Sequence, residues 1–400
     1  MPRGRPPRAV VRAAVRDCLA DLAPGDRVLV ALSGGPDSLA LLTATVAVGR
    51  DQGLVCAAAV IDHGVQPGSA AVAERAAEQA RILGCDDVEV VAVQVERGPG
   101  AGGLEAAARR ARYASLLRCA GRAVETWPDG GDSGWLLSTG PGHTAAILLG
   151  HTRDDQAESV LLGLARGSGT RSLAGMPPSS DLFRRPLLDV PRAVVIAAAR
   201  DAAGEDPRLE PWSDPHNVDA AFARVRVRTE VLPVLEATLG PGVVEALART
   251  ARLARADADA LDAWADRIWQ QLRSSLASPV PPTPPVPPVP PVPSSNLLRE
   301  GTSAPPHRGA DVPQRSKRRG EEGLPVESLL PTAPDPLPEA VVSRVVRRFL
   351  LEAGCPRGSL TALHIGAVTA LLTEAHTRAE VALPGGRRAR REGAALVVRA

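Results

Sequence analysis

Lysine is almost absent from this 400-residue chain: of its 47 basic side chains, all but Lys317 are arginine. Arginine's planar fork suits phosphate and stacked bases, so the bias permits an RNA partner, although a coding preference for Arg, Ala, Gly and Pro produces the same composition. Aromatic residues make up only 2% of the chain, which argues against an extended base-stacking platform. The five cysteines, Cys18, Cys56, Cys85, Cys119 and Cys355, are scattered and form no CxxC pair. That spacing points away from a disulfide frame, a zinc site or an iron–sulfur cluster and towards buried, reduced thiols. Nothing in the pattern reads as membrane-spanning. Within Met1 to Pro24, Arg12, Arg16 and Asp17 interrupt any signal-peptide core, so a cytoplasmic location is expected rather than export.

What is present is ordinary apolar content, 44%, in a chain long enough for about two or three domains. From residue 25 to about 203, short apolar runs alternate with helical stretches. Val28 to Leu32, Val55 to Ile61, Val88 to Val95 and Ala145 to Leu149 are near-continuously apolar, as parallel strands buried on both faces should be. Helices are expected near Leu39 to Val48, Ala70 to Leu83 and Leu104 to Cys119. The fold class is therefore α/β, a doubly wound and mostly parallel sheet that binds ligands beyond the carboxyl ends of its strands. It should fill residues 25–212 behind a helical extension, 1–24.

Residues 213–277 read as a helical domain, with Pro233 and the turn Gly240-Pro241-Gly242 separating its segments. Pro279 to Pro293 then repeats Pro-Pro-Val or Pro-Pro-Thr, and the polar, proline-rich composition of 278–336 predicts a disordered insertion or linker. Residues 337–400 form a small C-terminal α+β region. Val341, Val342, Val345, Val346, Phe349 and Leu350 make an apolar helical stripe, a second helix runs from about Thr361 to Thr373, and the chain closes on a basic hairpin turned at Pro384-Gly385-Gly386.

The chemistry gathers at strand ends. Ser33-Gly34-Gly35-Pro36-Asp37-Ser38 lies between an apolar run and a helix, the strand, phosphate-loop, helix arrangement. The glycines let the backbone approach an anion, and Asp37 stands where a Walker loop would carry lysine, a residue suited to Mg²⁺. Asp62-His63-Gly64 follows the second strand. Glu105, Arg109 and Arg112 share one helical face, able to hold a phosphate or carboxylate or to form a surface ladder. His151, Asp154, Asp155 and Glu158 crowd one turn and a half after the fourth strand. Thr152 and Asp155 would make a capping box, but a cap accounts for only part of that set.

The six-residue loop resembles the PP-loop of the N-type ATP pyrophosphatases, and the ordered blocks that follow resemble the tRNA(Ile)-lysidine synthetase family. Those blocks are Asp62-His63-Gly64, Leu104-Glu105 to Arg112-Tyr113, His151 to Glu158, Arg166 to Gly169, Gly175-Met176, Arg185 to Leu188, and Asp214 to Asn217 leading to Arg224, Arg226 and Arg228. Three features depart from the family pattern: Val225 where asparagine is usual, a longer Gly-rich stretch at Gly121 to Gly142, and the proline-rich segment.

The resemblance implies ATP and Mg²⁺ as cofactors, and a CAU-anticodon tRNA(Ile) and free L-lysine as partners; it admits a homodimer. The C2 oxygen of the wobble cytidine would attack the α phosphorus of ATP, releasing pyrophosphate, and the lysine ε-amine would then displace AMP. It assigns Ser33, Gly34, Gly35, Pro36, Asp37, Ser38 and Arg112 to the nucleotide, Asp37 and Asp155 to the metal, and Asp37, Asp155 and His151 to catalysis. Glu105, Arg109, Asp154, Glu158, Arg224, Arg226 and Arg228 fall to the substrates. Another PP-loop tRNA modifier, such as a thiolase, and a non-catalytic RNA-binding relative are the alternatives.

Overall fold

The structure, a computed structural model, describes residues 5–64, 67–93, 104–121, 144–167, 170–277, 328–331, 337–373, 379–392 and 395–399. Residues 104–106, 216, 275–277, 328–331 and 373 are described by their main chain alone. The Gly121–Gly142 stretch beyond its first residue, and the proline-rich segment up to residue 327, lie outside the described residues. The chain divides into two compact units at Leu261/Asp262, within one long helix.

The first unit begins with α1 (Pro7–Cys18), β1 (Arg27–Leu32), α2 (Pro36–Gln52), β2 (Val55–Asp62), α3 (Ser69–Leu83), β3 (Asp87–Ala92), α4 (Leu104–Cys119) and β4 (Thr144–Leu148). It continues with α5 (Arg153–Ala165), α6 (Thr170–Leu173), the short strands β5 (Ser179–Ser180) and β6 (Phe183–Arg184), and α7 (Arg192–Glu205). The sheet order is β3-β2-β1-β4-β6-β5, parallel except for the β5–β6 hairpin. Strand order reverses between β1 and β4, which places the loops after these two strands at the switch point where an open α/β sheet takes its ligand.

Apolar β1, β2 and β4 are central and covered on both faces. One face packs on α1, α2, α3 and α7 through Val11, Val15, Leu41, Leu42, Val46, Ala77 and Val195. The other packs on α4 through Leu29, Ala57, Ile147, Leu116 and Leu117. β3 differs from the expected doubly buried strand: it is the sheet edge, its residues are half-buried or exposed, and it ends at Ala92. α1 is part of this core, because Val11 and Val15 lie one turn apart on the face that meets α2 and α7.

Beyond α7, α8 (Ala223–Arg226), a π-helical turn (Val227–Val231) and α9 (Leu232–Leu239) run on as one stretch, then Gly240 to Gly242 turns the chain into α10 (Val243–Ala277). Pro233 does not break the helix as its sequence suggests. It falls in the first turn after the π segment, where its missing N–H is tolerated.

The second unit holds the end of α10, β7 (Ser328–Pro331), α11 (Glu339–Glu352), α12 (Ala362–Thr373), β8 (Glu380–Leu383), β9 (Arg387–Glu392) and β10 (Ala395–Arg399). Its sheet is antiparallel, in the order β7-β10-β9-β8. β7 is a correction to the sequence reading: Ser328–Pro331, inside the proline-rich segment, pairs with β10 from Ala395 to Val398. The edge of β10 offers this segment a backbone partner. The expected stripe on α11 is buried at Val341, Val345, Val346, Phe349 and Leu350, with Trp269 against Phe349, while Val342 at its margin is half-buried.

Candidate active site

The phosphate loop is closed by its own serines. Ser38 Oγ accepts from the Ser33 amide at 3.2 Å and donates to the Gly35 carbonyl at 3.0 Å, and the two hydroxyl oxygens lie 3.1 Å apart. Gly34 adopts φ 78°, a conformation that favours glycine, and a Cβ there would press on Ala76 Cβ at 3.3 Å. Its carbonyl accepts from the Trp212 amide at 2.8 Å. That tie brings the 207–212 turn against the loop, and Gln79 fastens the turn by donating to the carbonyls of Arg208 and Glu210. α2 has no side-chain cap and starts at Pro36, which leaves the Asp37 and Ser38 amides open to an anion.

Asp37 Oδ2 pairs with Arg192 Nη2 at 3.2 Å, while Oδ1 is buried without a hydrogen-bond partner. Burial, reinforced by the neighbouring Asp155 and Asp154 charges and opposed by Arg192 and Arg228, pushes the Asp37 carboxyl up to about 6. An orphaned carboxylate oxygen at a phosphate loop suits a hard cation. Among the described residues no three His, Cys, Asp or Glu side chains cluster to form a closed metal site. The donor set therefore fits an ion that takes most of its ligands from phosphate and water.

α5 begins beside this loop because Gly150 permits it: a Cβ there would meet the Asp37 carbonyl group and the Ser38 amide at 3.2 Å. Asp155 Oδ2 accepts from both the amide and the hydroxyl of Thr152 at 2.8 Å, completing the capping box, and Oδ1 accepts from Arg228 at 3.2 Å. Burial opposes ionisation of Asp155, but the Thr152 amide and hydroxyl, with the nearby His151 and Arg192, outweigh it and hold the carboxyl below its usual range. Asp154 accepts from the Arg192 amide at 2.8 Å, joining the starts of α5 and α7. Glu158, wholly buried, is bridged by Arg228 and has Arg224 at 3.9 Å.

A cavity of about 470 Å³ opens next to the loop. Val60, Ile61, Val72, Ala73, Trp212 and Phe222 give it an apolar wall, while Ser33, Asp62, His63, Arg109, Arg112, His151, Asp214 and Arg224 supply polar groups. His151 is half-buried, with its Nδ1 shielded and unpartnered, and desolvation together with the Arg112 charge pushes its imidazole down to about 3, leaving it neutral. Tyr113 Oη accepts from Arg109 at 3.1 Å and from Arg185 at 3.4 Å. Burial works against the Tyr113 phenolate, yet those arginines and Arg112 hold the phenol below its ordinary range.

The fold thus brings Ser33, Arg109, Arg112, His151 and Arg224 to one cavity; Asp37 and Asp155 do not line it, but are near enough to each other for the Asp155 charge to act on Asp37. Gly34, Gly35, Pro36 and Ser38 build the loop itself. Asp154, Glu158 and Arg228 have partners within the protein, and Arg226 turns away to donate to the carbonyls of Ala220 and Ala221. Val225, where the family pattern has asparagine, is buried. The Glu105 side chain lies outside the described residues. Sequence alone gives no sign of the parts taken by Trp212, Phe222, Gln79 and Arg192. The first three work through a backbone amide, a cavity wall and a distant turn, and Arg192 is one arginine among many.

The PP-loop domain family matches residues 8–126 and 139–235, and the TilS substrate binding domain family matches 335–397. The tRNA(Ile)-lysidine synthase of Thermobifida fusca is 45% identical over 395 residues, 99% of this chain and 98% of its own. Those of Streptomyces coelicolor and Salinispora arenicola are 41% and 40% identical, covering 93% and 98% of this chain and 85% and 96% of theirs. Among solved structures, the U34-tRNA thiolase NcsA from Methanococcus maripaludis aligns over 62% of this chain and 79% of its own at 17% identity, with a TM-score of 0.44, too slight a likeness to carry an argument. On near-complete coverage at this identity, with both domain families in place, the chain belongs to the tRNA(Ile)-lysidine synthase family.

Proposed function

We propose that this chain ligates free L-lysine to C2 of the wobble cytidine of a CAU-anticodon tRNA(Ile), converting ATP to AMP and pyrophosphate by way of an adenylated cytidine. The observation that carries the reading is a shared wall. Ser33 of the phosphate loop and His151 at the start of α5 both line the 470 Å³ cavity, so a phosphate site and a base-sized chamber form one path.

In the first step the cytosine C2 oxygen attacks the α phosphorus and pyrophosphate leaves. The Asp37 and Ser38 amides at the start of α2 face the charge that develops on the leaving group. Asp37 is the residue suited to hold Mg²⁺, which would neutralise pyrophosphate. Asp155 could join it only by exchanging the bond from Arg228 to Oδ1.

In the second step the lysine ε-amine bonds to C2, and the C2 oxygen departs with AMP. A free amine of pKa about 10.4 arrives protonated, so the site must lower its proton affinity and remove a proton. Arg109, Arg112 and Arg224 around the chamber disfavour an ammonium and favour the phosphate of AMP. His151 carries an unpartnered nitrogen able to accept a proton once an entering phosphate offsets the neighbouring arginines. Asp62 and Asp214 are the carboxylates in the same wall that could orient the lysine α-ammonium.

Thiolation fits less well. Burial pushes the Cys85 and Cys119 thiols up to about 12 and Cys56 up to about 11, and no cysteine lines the cavity. Among the described residues no single helix is long and apolar enough to cross a membrane, which suits the cytoplasmic setting of a tRNA modifier. The test is mass analysis of a CAU tRNA(Ile) transcript incubated with the enzyme, ATP and lysine. A gain of one lysine residue that needs both additions supports the reading, and an unchanged mass overturns it.

A further inference from the structure

Loops that bind the β and γ phosphates commonly set a lysine against them, and this one has none. The chain's sole lysine, Lys317, lies outside the described residues. Among the described residues a permanent side-chain cation at the loop can therefore only be arginine, and the neighbouring arginines are unequally committed. Arg228 spends its guanidinium on Glu158 and Asp155, Arg153 pairs with Glu245 at 2.8 Å, and Arg112 lines the chamber on the His151 side.

Arg192 is different. As the first residue of α7 it is fixed by its own amide, which donates to Asp154 Oδ2 at 2.8 Å, and its Nη2 lies 3.2 Å from Asp37 Oδ2. Its Nη1 is buried and has no hydrogen-bond partner, and neither does Oδ1 of the Asp37 it pairs with. One ion pair at the phosphate loop therefore holds an unused donor and an unused acceptor, both shielded from water. Leaving such groups unmatched is costly, and a ligand presenting phosphate oxygens together with a bound cation would satisfy both at once.

We infer that Arg192 is a pyrophosphate-binding residue, donating from Nη1 to the leaving β,γ-phosphates while its Nη2 keeps Asp37 oriented, and so supplies the positive charge that a loop lysine supplies elsewhere. This rests on the reading that the loop holds the pyrophosphate of ATP. The competing explanation is that Arg192 only neutralises Asp37.

The experiment is calorimetric titration of the full-length, tRNA-free protein with magnesium pyrophosphate and, separately, with AMP, for wild type, Arg192→Gln and Arg192→Lys, with a thermal melt of each protein without nucleotide. The inference expects Arg192→Gln to weaken pyrophosphate roughly tenfold or more while AMP changes by less than about twofold. Arg192→Lys should lie between, because it keeps the charge and loses the fork. If the glutamine variant does not fold, the lysine variant decides by the same selective loss. Equal weakening of both ligands, or unchanged pyrophosphate affinity, would overturn the inference and leave Arg192 a neutralising partner. A wild-type protein that binds no pyrophosphate would overturn the loop assignment itself, and the inference with it.

Discussion

Arg228 meets the buried carboxylate of Glu158 with both arms of its guanidinium, Nε to Oε1 at 2.6 Å and Nη2 to Oε2 at 3.0 Å. The arginine sits in the π-helical turn and the glutamate in α5, so this bridge joins the helical stretch to the catalytic sheet. Burial raises the Glu158 carboxyl, and Arg228 is the main group opposing that rise.

Removing Arg228 should therefore be severe. Arg228→Met leaves the buried Glu158 charge with only Arg224, at 3.9 Å, to offset it, at a cost of about 3–5 kcal/mol. Glu158→Leu together with Arg228→Met should recover much of that stability in urea melts. The sign with pH follows from the raised carboxyl: without Arg228, unfolded glutamate ionises before folded Glu158 does, so the single variant loses stability as pH rises through the ordinary carboxylate range. A flat difference from wild type between pH 4 and 7 would contradict this.

Asp37→Asn should keep the fold and abolish adenylate formation. The side chain is held at the loop by Arg192, its free oxygen is the candidate metal ligand, and asparagine nearly preserves its shape. Pyrophosphate release with Mg²⁺ and substrate tRNA should fall by roughly a thousandfold, in the range for removal of a main electrostatic element. Release at the wild-type rate would remove Asp37 from the chemistry.

The loops are more legible in the sequence than the bonds between them. Ser33 to Ser38 and His151 to Glu158 are local motifs next to apolar strands, and a parallel sheet has little choice but to bring the ends of β1 and β4 together. The roles within α5 are less legible. Asp154 and Glu158 read as substrate groups because charge crowding is visible in a sequence. Their partners, the Arg192 amide and Arg228, lie 38 and 70 residues away and are set by tertiary packing. β7 escapes for a related reason: its pairing depends on an available edge of β10, not on its own composition.

Gly150→Ala tests how closely the two loops must approach. The new methyl group would lie 3.2 Å from the main chain of Asp37 and Ser38, which cannot yield as a flexible side chain would. We expect a loss of about 1–3 kcal/mol, the usual range for overpacking, and a rise in the KM for ATP. Wild-type melting and an unchanged KM would show that the backbone relaxes.

His151 makes a pH prediction for the nucleotide-free protein. Its imidazole is pushed down to about 3, below the unfolded value near 6.5. The unfolded chain therefore takes up a proton that the folded chain refuses, and stability falls as pH drops below about 6.5. At pH 5 the contribution is about 2 kcal/mol. His151→Gln should lose less stability than wild type between pH 7 and pH 5 in urea melts. Parallel curves for the two proteins would mean that His151 protonates freely in the fold.

The last prediction concerns the basic hairpin, which lies in the region matched by the TilS substrate binding domain family. Its arginines are not equally free. Arg388 pairs with Glu380 at 2.9 Å, Arg390 is bonded to Glu392, and Arg391 donates to the Leu372 carbonyl. Arg391 therefore also holds the end of α12, and replacing it mixes folding with binding. Arg388 and Arg390 are the cleaner probes, since exposed ion pairs add little stability and their cations can be shared with a phosphate. If the hairpin tracks the tRNA backbone, each replacement by alanine should weaken tRNA binding and reduce the log–log salt slope by roughly 0.7 to 0.9 for every phosphate left without its arginine. Pyrophosphate affinity should stay unchanged, because the phosphate loop belongs to the other compact unit. The measurement is tRNA affinity across a salt series for wild type, Arg388→Ala, Arg390→Ala and the double variant. Identical slopes throughout would exclude these two arginines from the RNA interface and leave recognition to the remaining basic surfaces, Arg224 among them.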